Sequence, residues 1–224
     1  MCTSFAVYFD QPMYGMNFDF ADVELKWRMA SDEGRQAYRS VFYLCFELDG
    51  AFTEVAGVND RGLFGAGQIL VADFEIVPHS QDVLVSPYQV FVGALRKGCR
   101  VDDVLDLIGD RRLAYTSDAK GHQLYADRFG SAIVVEPGRA GNEIGRSEVG
   151  FVVMTNFAIG CFDPHWQARG QEAAEWSGLG ADRYRTACQF IAGHRGHLHR
   201  GGNGGAETHC ALGGSVYDPV FPVV

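Results

Sequence analysis

Cys2 stands directly behind Met1 in the opening Met1-Cys2-Thr3-Ser4-Phe5. Initiator methionine is trimmed when the next residue is small, so this position can become a terminus that carries a thiol and a free α-amine together. An α-amine titrates near about 7.7–8.0 and a free thiol near about 8.5, so around neutrality the amine can accept the thiol's proton. A nucleophile that brings its own base needs no separate histidine, which is the logic of N-terminal nucleophiles. Left internal, the same residue is a small buried hydrophobe. Three further positions offer matching chemistry. Asp19, in Tyr14-Gly15-Met16-Asn17-Phe18-Asp19-Phe20, falls level with the chain start if that segment folds back as a hairpin arm. A carboxylate there can hold an ammonium or orient the thiol; otherwise it satisfies a turn. Asn156, at the end of the apolar run Phe151 to Thr155, carries a neutral amide donor suited to an oxyanion hole, where losing one donor costs about 2.7–4 kcal/mol; taken alone it reads more simply as a turn residue. Arg183, in Asp182-Arg183-Tyr184-Arg185, can face the same pocket or lie on a solvated helix surface.

The elements that must hold these residues follow from patterning. Thr3 to Phe9 is β-prone, turned by Asp10-Gln11-Pro12, and Met13 to Phe20 reads as the second arm of a hairpin. Ser40 to Leu48 pairs with Ala51 to Val58 across Asp49-Gly50, and Asn59-Asp60-Arg61-Gly62 makes the next turn. Leu63 to Val71 is a buried strand whose Gly65 and Gly67 suggest close backbone approach or a bulge. Ser86-Pro87 predicts an N-cap followed by proline in the first turn, with Val90, Phe91, Ala94 and Leu95 on one helical face. A second helix spans Asp102 to Leu107, with its acidic residues early, as the helix dipole favours. Strands at 123–126, 131–136 and 151–155, a helix at 181–192, and a last strand from Ser215-Val216-Tyr217 complete the reading. Blocks of strands and helices argue for an α+β or layered architecture rather than alternating βαβ units. No repeat or linker divides the 224 residues, so the expectation is one domain, 1–224.

Composition excludes several function classes. The net charge of −9 opposes nucleic acid and anionic membranes as partners. The six cysteines, at 2, 45, 99, 161, 188 and 210, form no C-x-x-C pair, so zinc-ribbon and thioredoxin-like readings fail on spacing. No basic segment with an apolar h-region opens the chain, and no apolar run approaches about 18 residues, so a cytoplasmic, reducing location is expected. His194, His197 and His199 sit at offsets that fit no helix face and among arginines that repel a cation, so no metal is expected. His209-Cys210 is a poor dyad, because adjacent residues in a strand point apart. No G-x-G-x-x-G element lies between a strand and a helix, which leaves a dinucleotide site unsupported.

Taken in order, these residues resemble the choloylglycine hydrolase and penicillin V acylase group of N-terminal nucleophile hydrolases, with acid ceramidase-like and acyltransferase branches nearby. Met1-Cys2-Thr3 matches that opening, and Tyr14 to Asp19 is similar to the group's F-G-R-N-x-D element. Val58 to Gly67 resembles its x-N-E-x-G-L-A-I-A-G strand pair, and Val101-Asp102-Asp103-Val104 its V-D-E-V helix. Ile133 to Glu136, Thr155-Asn156 and Asp182-Arg183-Tyr184 follow in the group's order, so the likeness spans nearly the whole chain. It implies an αββα sandwich of two stacked, mostly antiparallel sheets and hydrolysis of a linear amide in an N-acylated small molecule, with no cofactor. It further implies Cys2 as nucleophile, Asp19 as its orienting carboxylate, Asn156 as oxyanion donor beside the main-chain N–H near Ile69, and Arg183 as the site arginine. Phe18, Phe64 and Phe157, with Phe20, Ile69 and Phe162, could line an apolar acyl pocket, and most of them are equally good core residues. Two departures stand out. Met16 replaces the group's arginine beside the nucleophile, which leaves activation to the amine and Asp19 unless Arg61 or Arg183 substitutes. The chain is also about a hundred residues shorter than a bile-salt hydrolase, mainly after Asn156, where the assembly loop would lie, so homo-oligomerisation stays open. An acyltransferase on the same thioester chemistry and a non-catalytic binding protein are the rival readings.

Overall fold

Residues 1–20, 23–31, 39–48, 50–71, 83–114, 121–138, 141–146, 150–158 and 180–194 are described by the computed structural model. β1 (Thr3–Val7) and β2 (Met13–Asn17) form the expected hairpin, with Thr3 opposite Asn17 and Val7 opposite Met13. β12 (Phe151–Thr155) lies on the other side of β1 and sets Thr3 opposite Thr155. These make a three-stranded sheet in the order β12-β1-β2. Beneath it runs a seven-stranded sheet in the order β11-β10-β9-β6-β5-β4-β3. Its members are β3 (Leu25–Ala30), β4 (Val41–Leu48), β5 (Ala51–Asn59), β6 (Phe64–Ile69), β9 (Gly121–Ala126), β10 (Ala132–Pro137) and β11 (Asn142–Arg146). Every pairing in both sheets is antiparallel. A short parallel pair, β7 (Leu84–Val85) with β8 (Arg112–Leu113), stands apart. The helices are α1 (Pro87–Lys97), α2 (Val101–Ile108) and α3 (Ala181–Gly193).

Period-two burial divides the molecule into layers. Ala6, Val152 and Met154 of the small sheet face Leu44, Ala56, Phe64, Ala66, Leu124, Ala126 and Val134 of the large one, which closes the inter-sheet core. The opposite face of the large sheet presents Tyr43, Cys45, Tyr125, Ile133 and Val135 to Phe91, Ala94, Leu95, Val101, Val104 and Ile108 of α1 and α2. Gly65 lets α1 come close, since a Cβ there would meet the Phe91 ring at 3.0 Å. On the small sheet's side, Tyr184, Cys188 and Ile191 of α3 join the core, and Thr155 Oγ1 donates to the Gly180 carbonyl at 2.8 Å. The result is the αββα layering expected of the chain.

Two polar residues hold the pole far from the chain start. Asn59, 5% exposed, donates through Nδ2 to the carbonyls of Leu95 (2.9 Å) and Gly98 (2.8 Å) and accepts from the N–H groups of Arg61 and Leu63 (3.0 Å each). Buried Asp127 does the same for the 127–131 turn and for the first N–H of α2, at 2.9 Å from Val101 N.

Some expectations need correction. β3 went unread because Leu25, Trp27 and Met29 are exposed along one face, so neither face of this edge strand shows a buried stripe. Ser86 precedes α1 with Pro87 in the first turn, yet its side chain makes no capping bond. At Gly67 a Cβ would make only an ordinary contact, 4.0 Å from the Val55 carbonyl oxygen, and the register shift falls between Leu44 and Cys45 instead. The expectations on Cys161, Phe162, His197, His199, His209-Cys210 and the strand from Ser215 lie outside the described residues. No described helix is long and apolar enough to cross a membrane.

Candidate active site

Because β1 and β12 are antiparallel with Thr3 opposite Thr155, the start of the chain lies beside the residue that follows β12. The end of β6 comes to the same place, since the Val71 N–H donates to the Asn156 carbonyl at 2.6 Å. The N-terminal turn of α3 closes the group. Cys2 is buried here, 6% exposed, and its main-chain polar atoms are held by different neighbours. Its nitrogen donates to Asn156 Oδ1 at 2.7 Å. Its carbonyl accepts from Arg183 Nη1, also at 2.7 Å. The main-chain N–H of Asp19 acts on its sulfur and favours the thiolate. The Asp19 carboxylate lies 3.3 Å from the terminal ammonium, which in this chain still belongs to Met1.

Arg183 also donates through Nη2 to Asn156 Oδ1 at 3.0 Å and approaches Met1 Sδ at 3.6 Å. One planar guanidinium thus spans the main chain of Cys2 and the side chain of Asn156, a geometry an ammonium would not reproduce. The amide of Asn156 is fixed from its other end as well, Nδ2 donating to the Ile69 carbonyl at 2.8 Å. A carboxamide has two N–H bonds, so among the described residues the second is left for another acceptor. Gly180 makes this fit available. Its φ of +101° is left-handed, and a Cβ would meet Arg183 Nη2 at 3.0 Å, Asn156 N at 3.1 Å and Thr155 Oγ1 at 3.2 Å.

Electrostatics at the thiol are mixed. Burial pushes the Cys2 thiol above its ordinary range, and the Asp19 carboxylate adds a smaller push the same way. Opposing them are the Asp19 N–H, then the terminal ammonium, then the Arg183 guanidinium. Met16 supplies no charge; it lies opposite Ser4, half-buried against the inter-sheet core. Arg61 belongs to the turn at the other end of β5 and β6, so among the described residues Arg183 is the arginine that reaches Cys2.

The structure therefore gathers Cys2, Asp19, Asn156, Arg183 and Ile69, with Ile69 meeting Asn156 through its carbonyl rather than its N–H. The aromatic residues divide. Phe18 stays at the site's edge, half-buried and stacked on Phe46 at 5.7 Å, with Phe20 beside it. Phe64 does not line the site: it begins β6 at the strand's far end, 1% exposed and stacked on Tyr14 at 5.3 Å. Phe157 is likewise a core residue, 2% exposed and edge-on to Tyr184, although it follows Asn156 directly. An apolar pocket and an apolar core have the same composition, so the sequence alone does not separate the two roles. Sequence reasoning missed Gly180, for which no local pattern existed, and the Ser4–Gln68 contact behind Cys2. Among the described residues no three side chains form a metal-binding group, and His194 ends α3 stacked on Phe190.

No family model matches the chain, and no curated protein matches it in sequence. Solved structures do match. Conjugated bile acid hydrolase from Clostridium perfringens superposes with a TM-score of 0.57 at 16% identity, over 79% of this chain and 58% of that one. Penicillin V acylase from Agrobacterium tumefaciens gives 0.57 at 15% identity, over 90% and 67%. The N-acylethanolamine-hydrolyzing acid amidase ortholog of Caenorhabditis elegans gives 0.50 at 14% identity, over 84% and 85%. The chain spans under three fifths of the bile acid hydrolase and shares its fold with all three.

Proposed function

We propose that the chain is a hydrolase of linear amides in N-acylated small molecules, with Cys2 as nucleophile once Met1 has been removed. The observation that carries this reading is the separate anchoring of the Cys2 nitrogen and carbonyl by Asn156 and Arg183, with the Asp19 main-chain N–H favouring the thiolate. A buried structural cysteine has no need of such partners. Loss of Met1 turns the Cys2 nitrogen into an α-amine already seated against Asn156, with Asp19 and its carboxylate adjacent. The amine takes the thiol proton, and Sγ adds to the substrate carbonyl carbon. The free N–H of Asn156 Nδ2 donates to the resulting oxyanion, together with a main-chain N–H near Ile69. The tetrahedral species collapses to a thioester as the C–N bond breaks, and the departing amine leaves with the proton held by the α-ammonium. Water, deprotonated by the same amine, adds to the thioester; the thiolate departs and the carboxylic acid is released.

Phe18, Phe20 and Phe46 favour an apolar acyl group beside this centre. Free Cys2, Cys45, Cys99 and Cys188 support a reducing compartment such as the cytoplasm. The test is to incubate the Met1-free chain with a panel of N-acyl amides, quench in acid, and look for an acyl adduct by intact mass. An adduct that maps to residue 2 and disappears in Cys2→Ala supports the reading. Turnover of the panel by Cys2→Ala at the rate of the native chain would refute it.

A further inference from the structure

Side chains cross the inner face of the large sheet in rungs where β6, β9 and β10 lie side by side. The register sets Phe64 beside Ala126 and Ala132, then Ala66 beside Leu124 and Val134, and both rungs belong to the inter-sheet core. The next rung, toward the active site, is Gln68, His122 and Glu136, which are 6%, 0% and 3% exposed. His122 Nδ1 lies 2.8 Å from Glu136 Oε1. Seating an amide, an imidazole and a carboxylate where two apolar rungs precede them costs desolvation, so their presence calls for a reason.

Gln68 supplies one. Its Nε2 donates to Ser4 Oγ at 2.6 Å and to the Met154 carbonyl at 3.3 Å. Ser4 is fully buried two residues after Cys2, Met154 lies two residues before Asn156, and Gln68 itself directly precedes Ile69, whose carbonyl holds the Asn156 amide. A single side chain thus ties the strands of the nucleophile, the oxyanion donor and that donor's anchor, across the gap between the two sheets. Behind it, Gln68 Oε1 and His122 Nε2 sit on register-paired residues, both buried and both without a partner among the described residues. An amide chosen only to satisfy the core would not leave its acceptor bare.

We propose that Gln68, backed by the His122–Glu136 pair, is a positioning residue that holds Cys2 and Asn156 in register for acyl transfer. The proposal rests on the catalytic reading of Cys2 given above. Its test compares two reactions of the Met1-free chain. In one, p-nitrophenyl acetate transfers its acetyl group to the Cys2 sulfur and releases p-nitrophenolate, a step that needs the oxyanion donor aligned. In the other, iodoacetamide alkylates the same sulfur with loss of iodide and needs no oxyanion donor. Release is corrected with the Cys2→Ala chain, and alkylation is resolved by peptide mass. Since a misplacement of about 1 Å can cost about a hundredfold, Gln68→Leu is expected to lower release about tenfold or more while alkylation stays within about threefold. Ser4→Ala should act in the same direction, and the double variant should fall no further than Gln68→Leu. A Gln68→Leu chain that keeps the native ratio of the two rates overturns the proposal, as do strictly additive effects of the two substitutions. If Gln68→Leu does not fold, Ser4→Ala, which deletes one oxygen, decides on the same ratio. A native chain that releases no more p-nitrophenolate than Cys2→Ala overturns the catalytic reading and this proposal together; an active native chain with an unaltered Gln68→Leu overturns this one alone.

Discussion

Replacing Arg183 by Met separates what its charge does from what its shape does. The guanidinium lowers the Cys2 thiol's pKa, but less than the Asp19 N–H and the terminal ammonium do. An opposite charge close to a titrating group favours its charged form, so losing this contributor thins the thiolate at neutral pH. The more basic thiolate that remains gains nucleophilicity with a Brønsted slope of about 0.4–0.5, which offsets nearly half of that loss. The net loss in alkylation rate is therefore smaller than the loss of thiolate. The second role is steric: Nη2 holds Asn156 Oδ1 at 3.0 Å while Nη1 holds the Cys2 carbonyl at 2.7 Å. An oxyanion donor is worth about 2.7–4 kcal/mol, so half of that alignment lost means about tenfold to thirtyfold in acyl transfer, beyond the charge effect. The assay is the pH dependence of Cys2 alkylation by iodoacetamide beside the rate of adduct formation with an acyl substrate. Arg183→Met should move the alkylation profile to higher pH and depress acyl transfer several times further than alkylation; Arg183→Lys should restore the profile but not the transfer. Equal loss in both reactions would refute the orienting role, and no loss in either would make Arg183 a bystander.

Other outcomes follow from the same geometry. Gly180→Ala forces a left-handed φ of +101° on a side chain that meets Arg183 and Asn156, so it should lower stability by about 1–3 kcal/mol in urea unfolding and slow acyl transfer as well. Asn59→Ala strands two carbonyls and two N–H groups in the interior and should cost about 3–5 kcal/mol by the same measurement, with Cys2 alkylation unchanged once folded. Burial holds the Cys188 thiol protonated, its pKa pushed up to about 12 from 9.0, so the fold favours the neutral form. That contribution is complete below about pH 9 and drains at about 1.4 kcal/mol per pH unit as pH rises toward the folded value. Unfolding free energy should therefore decline between about pH 9 and pH 10 and decline less steeply in Cys188→Ala; parallel slopes would contradict the assignment.

How much of this could be read beforehand depended on whether a residue's role is local. The hairpin of β1 and β2 was legible because alternation and Asp10-Gln11-Pro12 fix both the strands and their register, and that register alone carries Asp19 to the chain start. α1 was legible from its buried stripe of Val90, Phe91, Ala94 and Leu95, and α2 from the acidic residues of its first turn, Asp102 and Asp103. β3 was not, because an edge strand exposed on both faces has no buried period to detect. At the site, Cys2, Asp19, Asn156 and Arg183 stood out by chemical type, and the antiparallel neighbours β1 and β12 bring them together. Phe64 and Phe157 failed for the reason that burial and ligand contact select the same side chains. Gly180 and Gln68 were silent: one acts by lacking a Cβ, the other by bonding to residues about 60 and 90 positions away in sequence, and neither leaves a mark in its own neighbourhood.

The claim beneath the chemistry is that residue 2 becomes the first residue, its amine taking the place now held by the Met1 ammonium at Asp19. Intact mass of the catalytically active fraction tests this directly. The expected result is a chain lighter by one methionine, with activity that rises in step with the trimmed fraction when a methionine aminopeptidase is added. A fully active chain that still carries Met1 would contradict it.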